Sequence, residues 1–188
     1  MSERSRLLRE LLKEADPHFI LKYAVRVREQ MQSASCLGGF FLDGDVLVPV
    51  PRSSPRSRGT WVAAELAQAL VRAGVSAMTW PGLRRISAVR KSATAASAAR
   101  PTVASHYDSF CVERASFGVE GVVLVDDVIT KGRTLLAAAT RLQEASPNAP
   151  VRAFALLRTR GLIPGVERLL EPCKGEIRWN GADARRVP

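Results

Sequence analysis

The densest collection of chemistry-bearing residues in the sequence is Gly121-Val-Val-Leu-Val-Asp126-Asp127-Val-Ile-Thr130-Lys131-Gly132-Arg133-Thr134. Four aliphatic residues in a row read as a buried strand, and two adjacent carboxylates close it. At the carboxyl edge of a parallel sheet, such acids face the crevice where open α/β sheets bind ligands. The turn Thr130–Thr134 then leads at once into a helix. A helix start leaves backbone N–H groups without partners and carries the positive end of the helix dipole, so it favours an anion such as phosphate. Gly132 permits close approach of the backbone, the hydroxyls of Thr130 and Thr134 add donors, and Lys131 and Arg133 add charge. Carboxylates that accept from hydroxyls, beside a cradle for phosphate, suit a sugar phosphate. An ordinary strand end and helix cap needs one acid or one hydroxyl, not this whole set. The spacing is neither that of the P-loop nor that of the dinucleotide loop Gly-x-Gly-x-x-Gly.

The elements that must position these residues follow from apolar periodicity. Val122–Val125 predicts a buried strand, Arg133–Ala145 a helix with Leu135, Leu136, Ala139 and Leu142 towards the sheet, and Val151–Leu157 the next strand. That order predicts neighbouring parallel strands joined by a right-handed crossover. Upstream, Val46–Val50 is another continuous apolar run, followed by the Pro-, Ser- and Arg-rich loop Pro51–Gly59 and the helix Trp61–Ala73. Gly74 closes that helix, and Val75–Thr79 predicts one more strand. Two amphipathic helices precede the sheet: Glu3–Ala15, and about Phe19 to Met31 with Tyr23, Val27 and Met31 on one stripe. Trp80–Phe110 is the least regular stretch, with Arg84, Arg85, Arg90, Lys91 and Arg100 among many Ser, Ala and Thr. A polar loop of this length suggests a mobile lid, with a short helix around Ala93–Ala99. From Pro164 the tail predicts a short helical piece, an edge strand at Glu176–Trp179 and a basic end.

Composition sets the outer limits. The chain has 188 residues, 46% apolar and 24% charged, enough for one core and one domain. The expected layout is a single domain over 1–188, with N-terminal helices in 1–35, a lid or hood in 80–110 and a tail in 164–188. No run nears the roughly 18 apolar residues of a membrane span. The N-terminus lacks a signal peptide's basic-then-apolar order, so a cytoplasmic location is expected. Cys36, Cys111 and Cys173 are odd in number and widely separated, which predicts reduced, buried or half-buried thiols instead of a zinc knuckle. A net charge of +10 suits a polyanionic partner: nucleic acid, an anionic membrane surface or a substrate with several phosphates, of which a membrane is not expected.

The stretch Val122–Thr134 resembles the signature with which type I phosphoribosyltransferases bind 5-phosphoribosyl-1-pyrophosphate (PRPP): a hydrophobic run, two acids, two aliphatic residues, then Thr-x-Gly-x-Thr. The resemblance implies an α/β fold with a doubly wound, mainly parallel sheet and a mobile hood. It implies that Asp126 and Asp127 contact the ribose hydroxyls, and that Thr130, Lys131, Gly132, Arg133 and Thr134 hold the 5-phosphate. Asp45–Leu70, with Val48-Pro49-Val50-Pro51 and then Arg58-Gly59 leading into an Ala/Leu-rich helix, is similar to the ComF family of competence-associated phosphoribosyltransferase-like proteins. In type I enzymes the loop after this strand meets pyrophosphate, which assigns that role to Arg52, Ser53 and Ser54, with Arg56 and Arg58 nearby. The likeness spans roughly Lys22–Arg160.

The implied reaction displaces pyrophosphate from C1 of the ribose by a nitrogen nucleophile. Magnesium is the implied cofactor, carried on PRPP with Asp126 and Asp127 as the nearest protein carboxylates, and Arg84, Arg85, Arg90 and Lys91 would close over the site. The resemblance names no catalytic base. His18 and His106 are the only histidines, and a lone histidine is more often packing or surface. Relatives are often homodimers. The chain also departs from them. Its N-terminal stretch holds no Cys-x-x-Cys of the kind in the ComF family's zinc ribbon, Thr130 stands where 6-oxopurine salvage enzymes have an acid, and the orotate enzymes' Tyr-Lys-Gly segment has no counterpart. Lys131-Gly132 is similar to the basic-Gly pair of glutamine amidophosphoribosyltransferases, but their Cys nucleophile is absent. The acceptor therefore stays unnamed. Two other readings compete: a PRPP-binding sensor or nucleic-acid-associated factor without turnover, and a signalling receiver whose paired acids hold magnesium. The receiver leaves Thr130–Thr134 unexplained.

Overall fold

A computed structural model describes residues 3–56, 58–90, 100–115, 118, 120–159 and 171–187. At its centre lies a four-stranded parallel sheet in the order β2-β1-β5-β6, built from β1 (Asp45–Pro49), β2 (Met78–Thr79), β5 (Gly121–Ile129) and β6 (Val151–Arg158). The apolar runs of β1 and β5 are continuous because both faces are covered. Alternation divides them between two cores. Leu47, Val123 and Val125 pack with α1 (Glu3–Lys13), α2 (Pro17–Gln32) and α3 (Val62–Arg72). Val46, Val48, Val122 and Leu124 pack with α5 (Arg133–Ala145), whose buried side chains are Leu135, Ala137, Ala138 and Leu142. Fully burying one such Val or Leu contributes about 1.5–3 kcal/mol. Leu136 and Ala139, expected on the sheet-facing side of α5, are only partly buried, and the small Ala137 and Ala138 take their place.

Several boundaries differ from the sequence expectation for identifiable reasons. The strand β2 keeps only two residues, and just before it the Ser76 hydroxyl donates to the Asp45 carbonyl at 2.8 Å. The expected irregular stretch 80–110 contains β3 (Leu83–Arg85) and α4 (Val103–Ser109), and β3 pairs antiparallel with β4 (Phe110–Val112). Leu83 and Phe110 are buried in the α5-side core, which fixes both ends of that segment. Lys91 and the expected helix at Ala93–Ala99 lie outside the described residues, as does the expected helical piece just after Pro164. Glu176–Trp179 is a strand (β7) as expected, yet it does not edge the main sheet. It pairs with β8 (Ala184–Val187) in a separate hairpin. Cys36 is half-buried, whereas Cys111 and Cys173 are exposed, contrary to the expectation for buried thiols. Among the described residues no helix is long and apolar enough to cross a membrane.

Strand order fixes where a ligand can sit. From β1 the chain moves outward to β2, and from β5 it moves the opposite way to β6. The reversal falls between β1 and β5, which places a crevice at their carboxyl ends. At the opposite end, Arg152 binds the Asp45 carboxylate and donates to the Phe40 carbonyl at 2.6 Å, which clamps β1 and β6 across β5.

Candidate active site

The strand β5 outruns β1 at that reversal. Pairing with β1 ends at Pro49 and Val125, and Val50 N–H closes the ladder on the Val125 carbonyl at 2.9 Å. Pairing with β6 continues to Ile129. Asp126 and Asp127 therefore lie within β5, at the step where one neighbour has turned away. Each carboxylate accepts from the next backbone N–H: Asp126 Oδ1 from Asp127 at 3.0 Å, Asp127 Oδ1 from Val128 at 2.8 Å.

A crevice of about 430 Å³, counted with its open mouth, lies above this step. Little of that space is enclosed by protein, so the crevice is shallow. Asp126, Thr130, Lys131, Gly132, Arg133 and Thr134 line it, together with Arg100. Sequence reasoning did not assign Arg100 to the site, because nothing in its own neighbourhood aims it there. Asp126 has a pKa raised well above the ordinary carboxylate range, first by burial and then by the neighbouring Asp127 carboxylate, with Arg85 opposing. Some of its surface stays accessible, but protein surrounds it on most sides, and the upward direction follows from that crowding. An acid in this condition gains from any ligand that brings hydroxyl donors or a cation.

Gly132 caps α5 with φ 87°, a left-handed backbone that glycine adopts without cost. A Cβ here would also meet the Ile177 side chain of β7 at 2.9 Å. Beyond it Arg133, Thr134 and Leu135, the first turn of α5, line the crevice, and a helix start leaves such N–H groups without partners inside the helix. The side chains of Lys131 and Arg133 are engaged elsewhere. Lys131 Nζ lies 3.2 Å from Asp183 Oδ2, and Arg133 grips the same carboxylate while donating to the Pro101 carbonyl at 3.1 Å. The backbone and hydroxyls of the turn, more than its two cations, are thus presented to an anion. Asp183 belongs to the loop of the β7–β8 hairpin, and sequence reasoning missed it. The adjacent Asn180-Gly181 was the available signal, since that dipeptide marks a tight hairpin turn, and Gly181 has φ 92°.

The loop after β1 leaves the sheet at the same carboxyl edge. Arg52 folds its guanidinium onto the Gly59 carbonyl at 2.5 Å, and the Ser54 hydroxyl accepts from Arg56 N–H at 3.2 Å. The Ser53 carbonyl accepts from Val89 N–H at 2.8 Å, which ties the loop to the segment after β3. None of the three lines the crevice itself. The arginines expected in a lid divide. Arg84 is exposed and paired with Glu113 at 2.7 Å, and Arg90 is exposed. Arg85 is no lid residue: it is buried, its Nε donating to the Arg52 carbonyl at 2.8 Å and its guanidinium stacking 4.2 Å from the Phe110 ring centroid. Burial lowers its pKa to about 10, with Asp126 opposing, so it stays charged.

The chain matches no protein-family model and no curated protein. The site must therefore be judged by its own geometry. It offers a helix start with threonine hydroxyls and Asp126 beside it, while Asp127, next in the strand, does not line the crevice. Among the described residues no group of three or more His, Cys, Asp or Glu converges on a common point, so a cation here would rely on oxygens brought by a ligand.

Proposed function

We propose that this chain binds PRPP and transfers its 5-phosphoribosyl group to a nitrogen nucleophile with release of pyrophosphate, on a fold of the type I phosphoribosyltransferase kind. The observation that carries this reading is a single juxtaposition. Asp126 and the Thr130–Thr134 turn line one crevice, at the carboxyl edge of a parallel sheet from which the loop after β1 also leaves.

In the proposed reaction the bond from C1 to the pyrophosphate oxygen breaks as a bond from nitrogen to C1 forms, and the nitrogen's proton leaves. Positive charge develops on the ribose and negative charge on the departing oxygens, so fixed charges near each end lower the barrier. Asp126 and Asp127 hold the ribose hydroxyls and face the cationic ring. The α5 start fixes the 5-phosphate, and the β1 loop receives the leaving group. Arg85 stays buried beneath that loop and braces it through the Arg52 carbonyl. The donor set fits magnesium, since Asp126 and Asp127 are adjacent carboxylates that gain from a cation. Magnesium bound with PRPP would neutralise the pyrophosphate oxygens.

A screen of nucleobases and amines for pyrophosphate release from PRPP, with magnesium, tests this. One acceptor should give pyrophosphate and a phosphoribosylated product in equal amounts. The net charge of +10, with Arg56, Arg58 and Arg90 exposed, favours a second reading, a PRPP-binding factor that associates with nucleic acid. PRPP binding without product from any acceptor, together with salt-sensitive nucleic-acid binding, would support that second reading over turnover.

A further inference from the structure

His106 is 4% exposed, behind the start of α5. Its Nε2 lies 3.3 Å from the Thr134 Oγ1, and among the described residues that imidazole is the hydroxyl's hydrogen-bond partner. Its Nδ1 is buried with no partner among the described residues. Ser109 donates to the His106 carbonyl at 2.6 Å and in turn receives the Arg85 guanidinium, so the helix turn that carries the imidazole is itself held in place. Thr134 lines the crevice at the second position of α5.

The two neutral tautomers of His106 have opposite consequences for an anion. If Nδ1 carries the proton, a buried N–H is stranded without an acceptor, which folded proteins rarely tolerate. Nε2 would then be an acceptor, the Thr134 O–H would turn inward to it, and only hydroxyl lone pairs would face the phosphate. If Nε2 carries the proton, the stranded atom is a lone pair, the cheaper omission. The Nε2–H then donates to Oγ1, and the Thr134 O–H is left to point at the anion. Burial, and then the charges of Arg85 and Arg133, keep the ring neutral at physiological pH.

We infer that His106 is a positioning residue for the phosphate cradle: as the Nε2–H tautomer it donates to Thr134 Oγ1 and leaves the Thr134 hydroxyl free to donate to a phosphate oxygen. This rests on the proposed phosphate site and assigns the residue that sets its hydrogen-bond polarity. Nothing in the residues around His106 in sequence marks it for that role.

The test combines nitrogen-15 NMR of the histidine rings in the whole protein with titration of ribose 5-phosphate. The expected spectrum gives His106 a protonated Nε2 and a bare Nδ1 at neutral pH, with the Nε2 proton shifting when ribose 5-phosphate is added. His106→Phe and Thr134→Val should each weaken ribose 5-phosphate binding about 10-fold, the double variant no further, and His106→Gln should recover most of the loss. An Nδ1–H tautomer would overturn the inference, as would unchanged ribose 5-phosphate binding in folded His106→Phe, while the functional proposal survived. Failure of the wild-type protein to bind either ribose 5-phosphate or PRPP would remove both.

Discussion

Arg133 reaches back from the first turn of α5 and grips Asp183 with two prongs, 2.5 Å from Nε to Oδ1 and 2.5 Å from Nη2 to Oδ2. This pair, with Lys131 on the same carboxylate, fastens the β7–β8 hairpin to the turn that opens α5. The two guanidinium bonds hold the Asp183 carboxyl well below the ordinary carboxylate range. A depressed carboxyl pKa contributes stability above the unfolded value and loses it as pH falls through the folded one. The hairpin should therefore stay docked through weakly acid conditions. Asp183→Ala is expected to cost about 1 kcal/mol, since the pair is partly solvated, and to speed amide exchange in β7 and β8 selectively. Uniform exchange rates across the variant would show that the ion pair does not hold the hairpin.

Asp126 runs the other way. A carboxyl whose pKa is raised on folding contributes stability that is complete below the unfolded value, near 3.8, and is lost as pH climbs through the folded value. The ligand-free fold thus carries a strained acid at neutral and alkaline pH. Asp126→Asn should melt higher than the wild-type protein at pH 8, with the gap closing towards pH 4, and should lose PRPP binding. A gain of about 1 kcal/mol corresponds to roughly 2–4 °C in a domain of this size. A variant that melts lower at pH 8 would contradict the crowding assigned to this acid.

His106 gives the acid side of the stability profile. Burial first, then the charges of Arg85 and Arg133, lower its pKa from 6.5 to about 4. Below pH 6.5 the unfolded chain takes up a proton that the folded ring refuses, so stability falls as pH drops from about 6.5 to about 4. Urea midpoints of wild-type and His106→Gln proteins at pH 7, 5.5 and 4.5 check this. The wild-type midpoint should fall across the series more than that of the variant.

Gly132→Ala puts a Cβ both into a left-handed backbone and against Ile177. The conformational part alone costs about 1 kcal/mol or more. Ile177→Ala should relieve the contact but not the backbone strain, so the double variant is expected to recover only part of the lost stability in chemical denaturation. Full recovery would mean that φ at this position is not limiting.

The sheet was largely legible in the sequence because its strands are buried on both faces, and the uninterrupted runs Val46–Val50 and Val122–Val125 have no other economical reading. Helix α5 was delimited correctly, from Arg133 to Ala145, because apolar spacing and the Gly132 start agree. Legibility failed where long-range partners decide. Arg85 lies in a polar stretch and reads as a surface cation, yet the Arg52 carbonyl, Ser109 and the Phe110 ring make a buried place for it, and they lie 24–33 residues away. Asp183 and Lys131 are 52 residues apart, and no local pattern joins them. Of the site, the acids and the turn were evident, whereas His106, Arg100 and Asp183 were not.

Calorimetric titration of PRPP with magnesium into the wild-type protein and into the Asp126→Asn, Asp127→Asn double variant tests the central claim most directly. Saturable binding of one PRPP per chain in the wild-type protein, lost in the folded double variant, is the predicted result. An absence of binding heat across temperatures in the wild-type protein, or equal binding by both, would contradict it.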